Sequence, residues 1–172
     1  ILILIFSLLW SSVFYAQTAE QQEIIDDAMK AKNAFIEMNP YMEELFESSA
    51  GYAIFPNVGE GAYIIGVASG NGAVYQDGQL IGMADLKQVD VGLQFGGKAY
   101  SEVIFFKTDA ALANFKEGEF SLSGEASAVV LEEGIGESIS FKNGIAVVTM
   151  PKAGAMVDVS VGGQRFEFQP LQ

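Results

Sequence analysis

The sequence predicts an α+β domain: an antiparallel, glycine-rich β-sheet or partly closed barrel, with an N-terminal amphipathic helical arm and a short helix near residues 108–116. Three observations predict it. Apolar residues recur at three- and four-residue spacing between Glu20 and Ser49. From Tyr52 onward, short β-branched and aromatic runs stand between glycine-containing turns. Half of the 172 residues are hydrophobic and none is Cys, so one domain with an ordinary core, unaided by disulfides, is expected.

The first sixteen residues, Ile1 to Ala16, carry no charge and are nearly all apolar, and the polar run Gln17-Thr18-Ala19-Glu20 follows them. That is the profile of a secretory signal peptide. A membrane-spanning helix needs about 20 apolar residues, and Ser7, Ser11 and Ser12 interrupt this run. Cleavage after Ala16 is therefore expected, leaving an arm at 17–49 and a β-rich part at 50–172 in one domain, exported to the periplasm, cell envelope or extracellular space.

In the arm, Ile24, Ile25, Ala28, Met29, Phe35 and Ile36 lie along one helical stripe with acids between them, a pattern that more often packs on the domain's own sheet than lies in a bilayer interface. Asn39-Pro40 should break the helix, with Asn39 capping a second, shorter one and Pro40 at its first position. Met42, Leu45 and Phe46 mark one side of that helix, and Gly51 reads as its stop signal. Farther on, Thr108 caps and Asp109 opens the run Ala110-Ala111-Leu112-Ala113-Asn114, and Gly118 ends it.

Three two-residue turns, Asp77-Gly78, Asn143-Gly144 and Gly162-Gly163, suit type I′ hairpins. The last predicts a register in which Val161 meets Gln164, Val159 meets Phe166 and Val157 meets Phe168. It places Val157, Val159, Phe166 and Phe168 on a core face and Asp158, Arg165 and Glu167 on a wet one. Val89 to Phe95 alternates in the same way.

Composition excludes several chemistries. With no His and no Cys, histidine acid–base catalysis, cysteine nucleophiles and His- or thiolate-ligated metals are ruled out. Neither a Gly-x-Ser-x-Gly elbow nor a P-loop occurs. Gly59-Glu60-Gly61 and Gly70-Asn71-Gly72 stand by runs of strand character, so they are expected as turns or bulges. Glu43-Glu44 and Glu132-Glu133 are expected as solvated surface. We expect no enzyme, catalytic residue, metal or cofactor. A net charge of −13 disfavours nucleic acid and simple electrostatic adhesion to anionic lipid.

The block Gly51-Tyr52-Ala53-Ile54-Phe55-Pro56-Asn57-Val58-Gly59, followed by Gly66, Gly70-Asn71-Gly72, Gly82, Gly92-x-x-x-Gly96 and Glu102-Val103-Ile104-Phe105-Phe106, resembles the SYLF domain. Phe115, Gly118 and Ser123-Gly124-Glu125-Ala126-Ser127 continue the likeness. The resemblance implies lipid binding, with phosphoinositide recognition through a basic amphipathic N-terminal helix in eukaryotic members and actin binding in some. Here the matching helix is acidic, with eight acids against two lysines between Glu20 and Ala50. Actin is not expected as the partner of an exported protein. The resemblance nominates Ile25, Met29, Lys30, Lys32, Phe35 and Ile36 as lipid-binding, with a phospholipid or membrane surface as the partner and Met29 and Phe35 as the apolar contacts. The second reading is an envelope protein-interaction or structural module.

Overall fold

The computed structural model describes residues 18–60, 67–89, 99–122, 128–131, 139–152 and 161–171. Two helices, α1 (Ala19–Met38) and α2 (Tyr41–Ser48), precede four strands, β1 (Gly51–Glu60), β2 (Val67–Gln76), β3 (Gln79–Val89) and β4 (Ala99–Phe106). Helix α3 (Asp109–Lys116) follows, and then β5 (Glu119–Ser121), β6 (Ala128–Val130), β7 (Ile145–Pro151) and β8 (Arg165–Pro170).

Local chemistry sets the helix boundaries. The Thr18 hydroxyl accepts from the Gln21 amide while the Gln21 side chain accepts from the Thr18 amide, a capping box that satisfies two donors at the start of α1. At the break, the Asn39 side chain accepts from Tyr41 N–H at 3.0 Å and Pro40 adopts helical backbone angles, as the sequence predicts. Thr108 caps α3 by accepting from Ala111 N–H. The exit from α2 differs from expectation. Ser49 leaves the helix in extended conformation and Gly51 already belongs to β1, where a β-carbon would lie 2.6 Å from the Tyr75 carbonyl oxygen.

The strands form one sheet in the order β5-β8-β3-β2-β1-β4-β7-β6, antiparallel except where β6 runs parallel to β7. Asp77 and Gly78 both have positive φ, and they turn β2 into β3. Asn143 and Gly144 repeat that geometry before β7. The expected hairpin at Gly162-Gly163 is altered. Phe166 is flanked in the ladder by Leu86 of β3 and Phe120 of β5, in place of the expected Val159. The edges of β8 are thus filled by strands distant in sequence, while the face alternation holds: Phe166 is buried, Phe168 half-buried, and Arg165 and Glu167 exposed. The segments 90–95 and 153–160, with Val157, Asp158 and Val159, lie outside the described residues, as do Gly61 and Gly66, Gly92 and Gly96, 123–127 and Glu132-Glu133.

Both faces of the sheet are apolar. Tyr52 and Ile54 of β1 and Val103 and Phe105 of β4 meet Ala28, Ala31 and Phe35 of α1 and Met42, Leu45 and Phe46 of α2. The next residues along the strands, Ala53 and Phe55, Ile104 and Phe106, point the other way, toward Leu112 and Phe115 of α3. On that side the sheet curls. The Phe55 and Phe166 rings lie 5.4 Å apart, although β2 and β3 separate their strands, a distance of about 14 Å along a flat sheet. Phe115 fills the trough, in contact with the rings of Phe106, Phe120, Phe166 and Phe168.

Proline in a central strand removes a ladder hydrogen bond, and β1 accommodates Pro56 in a bulge. Pro56 and Asn57 together oppose Ser101 alone on β4, and the buried Ser101 hydroxyl donates to the Pro56 carbonyl at 2.8 Å. On the other side, Phe55 to Val58 oppose only Gly70 to Gly72. Gly70-Asn71-Gly72 is therefore strand rather than turn. A β-carbon on Gly72 would lie 2.6 Å from both the Ile54 carbonyl oxygen and the Phe55 ring, too close for any side chain.

Two substitutions test this packing. Phe115→Ala should destabilise the protein by about 3–5 kcal/mol. Gly72→Ala should cost about 1–3 kcal/mol through overpacking against backbone. Denaturant unfolding of each variant measures both, and wild-type stability in Gly72→Ala would contradict the close approach of β1 and β2.

Candidate functional site

The bulge at Pro56-Asn57 matters because α1 crosses it. An open groove of about 480 Å³ lies there, with Ala31, Ala34, Pro56, Met150 and Pro151 as apolar lining and Asp27, Lys30, Asn57, Ser101 and Lys152 as polar lining. A second open groove of about 370 Å³ continues past Asp27 to Glu20, Glu23, Ser69 and Asn71. The proline turns Asn57 outward, and Asn57 becomes the hub of a polar chain. Its side-chain amide donates to Asp27 at 3.2 Å, its carbonyl accepts from the Lys152 ammonium, and Lys30 bridges to Asp27 at 2.8 Å. Two cations thus frame one carboxylate in the lining of this groove, with Asp26 and Glu23 acting on Lys30 from beside it. The hydrogen bond from Lys30 holds the Asp27 carboxyl below its usual pKa, and the same bond raises that of Lys30.

The six residues nominated from the helix are not on one surface. Lys30 lines the groove. Met29 is 47 % exposed and faces solvent. Phe35 is fully buried, and Ile25 and Ile36 pack half-buried on the same core cluster. Most of the apolar stripe therefore covers the protein's own sheet, and Phe35 is not available to a ligand while the fold is intact. Lys32 is held inward: its ammonium donates to the Tyr52 hydroxyl at 3.2 Å and sits 4.8 Å from the centre of the Phe46 ring, a cation–π contact. The remaining groove residues, Asn57, Ser101, Met150 and Lys152 among them, come from β1, β4, β7 and its end. Only the proline inside a strand pattern signals their meeting in the sequence.

A second polar cluster lies inside the trough. Gln88 of β3, Tyr100 and Glu102 of β4, Thr149 of β7 and Gln164 before β8 share the face that carries Phe55 and Phe166, and Gln88, Glu102, Thr149 and Gln164 are all nearly inaccessible to solvent. The Gln164 side-chain nitrogen lies 3.0 Å from Glu102 Oε2 and 3.2 Å from both Gln88 Oε1 and the Tyr100 hydroxyl. Burial pushes the Glu102 carboxyl up to about 8, opposed by the hydrogen bond from Gln164. Sequence reasoning passed over this group. Its signal was an acid at a core-facing position of the alternating run Tyr100, Glu102, Ile104, Phe106.

Residues 87–170 match the family described as Ysc84, Las17-binding protein actin regulator, which is the SYLF family. Over these residues the chain is similar to SYLF-domain proteins. The match runs from the end of β3 through β8, so it holds the whole trough cluster and the Ser101, Met150, Pro151 and Lys152 side of the groove. The glycine block from Gly51 to Gly82 precedes it. No curated protein matches the chain. Among the described residues no helix is long and apolar enough to cross a membrane, and no group of three or more acidic side chains is placed to hold a metal ion.

The different environments of two residues on one helix give a direct test. Phe35→Ala should cost about 3–5 kcal/mol in denaturant unfolding, whereas Met29→Ala should stay within about 0.5 kcal/mol of wild type. Equal effects would contradict the orientation of α1.

Proposed function

We propose that this chain is a non-enzymatic, exported lipid-binding protein of the cell envelope that holds an amphiphile in the groove where α1 crosses the Pro56 bulge. The observation that supports this most is the pairing of surfaces there: apolar walls from Ala31, Ala34, Pro56, Met150 and Pro151 beside the ammonium groups of Lys30 and Lys152. Its volume of about 480 Å³ falls in the range of small-molecule sites. An acyl or glycerol segment fits the apolar walls, and a phosphate headgroup suits the two cations. The family's link to lipid and the apolar leader point the same way. With a net charge of −13, long-range attraction to an anionic membrane is unfavourable. Contact therefore rests on local apolar burial together with these two lysines, and phosphoinositide specificity has no basic helix to support it. Actin plays no part in this proposal, because an exported protein does not share a compartment with it.

Flotation with neutral and anionic phospholipid vesicles over a range of salt, with mass spectrometry of lipid extracted from the purified protein, tests the proposal. Binding that persists at high salt is expected, as is a severalfold loss of partition to anionic vesicles in the Lys30→Ala, Lys152→Ala double variant. Unchanged partition in that folded variant would remove the groove as the site. A clean extract with no flotation at any salt would favour the protein-interaction reading.

A further inference from the structure

We infer that the Glu102 carboxyl is protonated in the folded protein and closes a two-hydrogen-bond pair with the Gln164 side-chain amide, a clasp that ties β4 to the segment entering β8 and loosens when Glu102 ionises.

The geometry of the unpaired atoms supports this. Gln164 Nε2 donates to Glu102 Oε2 at 3.0 Å, while Glu102 Oε1 and Gln164 Oε1, both buried, have no hydrogen-bond partner among the described residues. Two oxygens of an ionised carboxylate and an amide carbonyl can only accept. A proton on Glu102 Oε1 turns one acceptor into a donor, and the acid and the amide then complement each other edge to edge. The second N–H of Gln164 remains for Gln88 Oε1 and the Tyr100 hydroxyl, each 3.2 Å away.

Among the described residues no cation faces the carboxyl, and what opposes its neutral form is the hydrogen bond from the uncharged Gln164 amide. On the same face, β1 presents Phe55, β3 presents Leu86 and Gln88, β7 presents Val147 and Thr149, and β8 presents Phe166. Tyr100 is the titratable neighbour, and no Lys or Arg among the described residues is paired with Glu102. Burying a lone carboxylate there is far costlier than burying the neutral acid. The clasp also bridges strands that do not pair. In the sheet order, β3, β2 and β1 lie between β8 and β4, about 19 Å along a flat sheet, so the pair spans the mouth of the curl.

The sign of the pH effect follows from burial, which moves Glu102 from 4.5 to about 8. Below 4.5 folded and unfolded chains both hold the proton, and the contribution is complete. Between 4.5 and about 8 the unfolded chain alone has lost it, so the unfolding constant rises tenfold per pH unit from this group. Above that range both forms are ionised and the contribution is gone.

Glu102→Gln supplies a permanent amide in place of the neutral acid, and an amide pair needs no proton. In chemical denaturation of the full chain, the ratio of the wild-type unfolding constant to that of Glu102→Gln should rise roughly a hundredfold from about pH 5 to about pH 7. Parallel profiles would overturn the proposal. Carboxyl carbon NMR of wild-type protein gives a reading independent of any variant: titration of Glu102 near 8 is expected, and titration near 4.5 would overturn it. A double-mutant cycle of Glu102→Leu and Gln164→Leu, each of which removes one side of the pair, separates the pair from burial alone. Coupled effects are expected, and additive ones would remove the clasp.

Discussion

A sheet with large apolar side chains on both faces must be covered on both, and this requirement organises the molecule. In β1, Tyr52 and Ile54 point one way while Ala53 and Phe55 point the other, and all four are buried. One face is covered by helices: the small side chains of Ala28 and Ala31 bring α1 close, and Phe35 is buried there, worth about 1.5–3 kcal/mol by apolar burial. Among the described residues the only helix on the other face is the two-turn α3. The sheet compensates by curling, so that strands far apart in the ladder, β1 and β8, become each other's cover through Phe55 and Phe166.

The two polar sites are consequences of these two modes of cover. Where a straight helix lies across a strand interrupted by a proline bulge, their surfaces part and leave a groove, and the bulge turns Asn57 toward solvent beside Asp27 and Lys152. Where the curled sheet meets itself, side chains from distant strands converge out of reach of water, so any polar group there must find its partners among the others. The first site is open and held by exposed ions, which solvent weakens. The second is closed, and its hydrogen bonds are strengthened by the low dielectric around them.

The parts legible in the sequence are those governed by neighbouring residues. The break at Asn39-Pro40, the Thr108 cap and the Asp77-Gly78 and Asn143-Gly144 turns depend on contacts within a few positions, and each is found as predicted. The alternation of Arg165 to Phe168 also holds, because which face is wet is a property of the strand itself. Which strand lies beside β8 is not such a property. A two-residue turn proposed a local partner, yet Leu86 and Phe120 occupy those places, because the curl rewards closure between remote segments. The same remoteness hid the candidate site: Glu102 and Gln164 are 62 residues apart, and Lys152 and Asn57 are separated by 95.

The family match and the lipid reading rest on different halves of the structure. Residues 87–170 contain Gln88, Tyr100, Glu102, Thr149 and Gln164, the complete polar mouth of the trough, but only one wall of the groove. The other wall, Asp27, Lys30, Ala31 and Ala34, belongs to α1, whose amphipathic stripe is spent mostly on the protein's own core. A helix in that position cannot also lay the same stripe into a bilayer without uncovering Tyr52, Ile54 and Phe105. What α1 can offer an amphiphile in the intact fold is therefore its charged flank and the groove beneath it, rather than its apolar face.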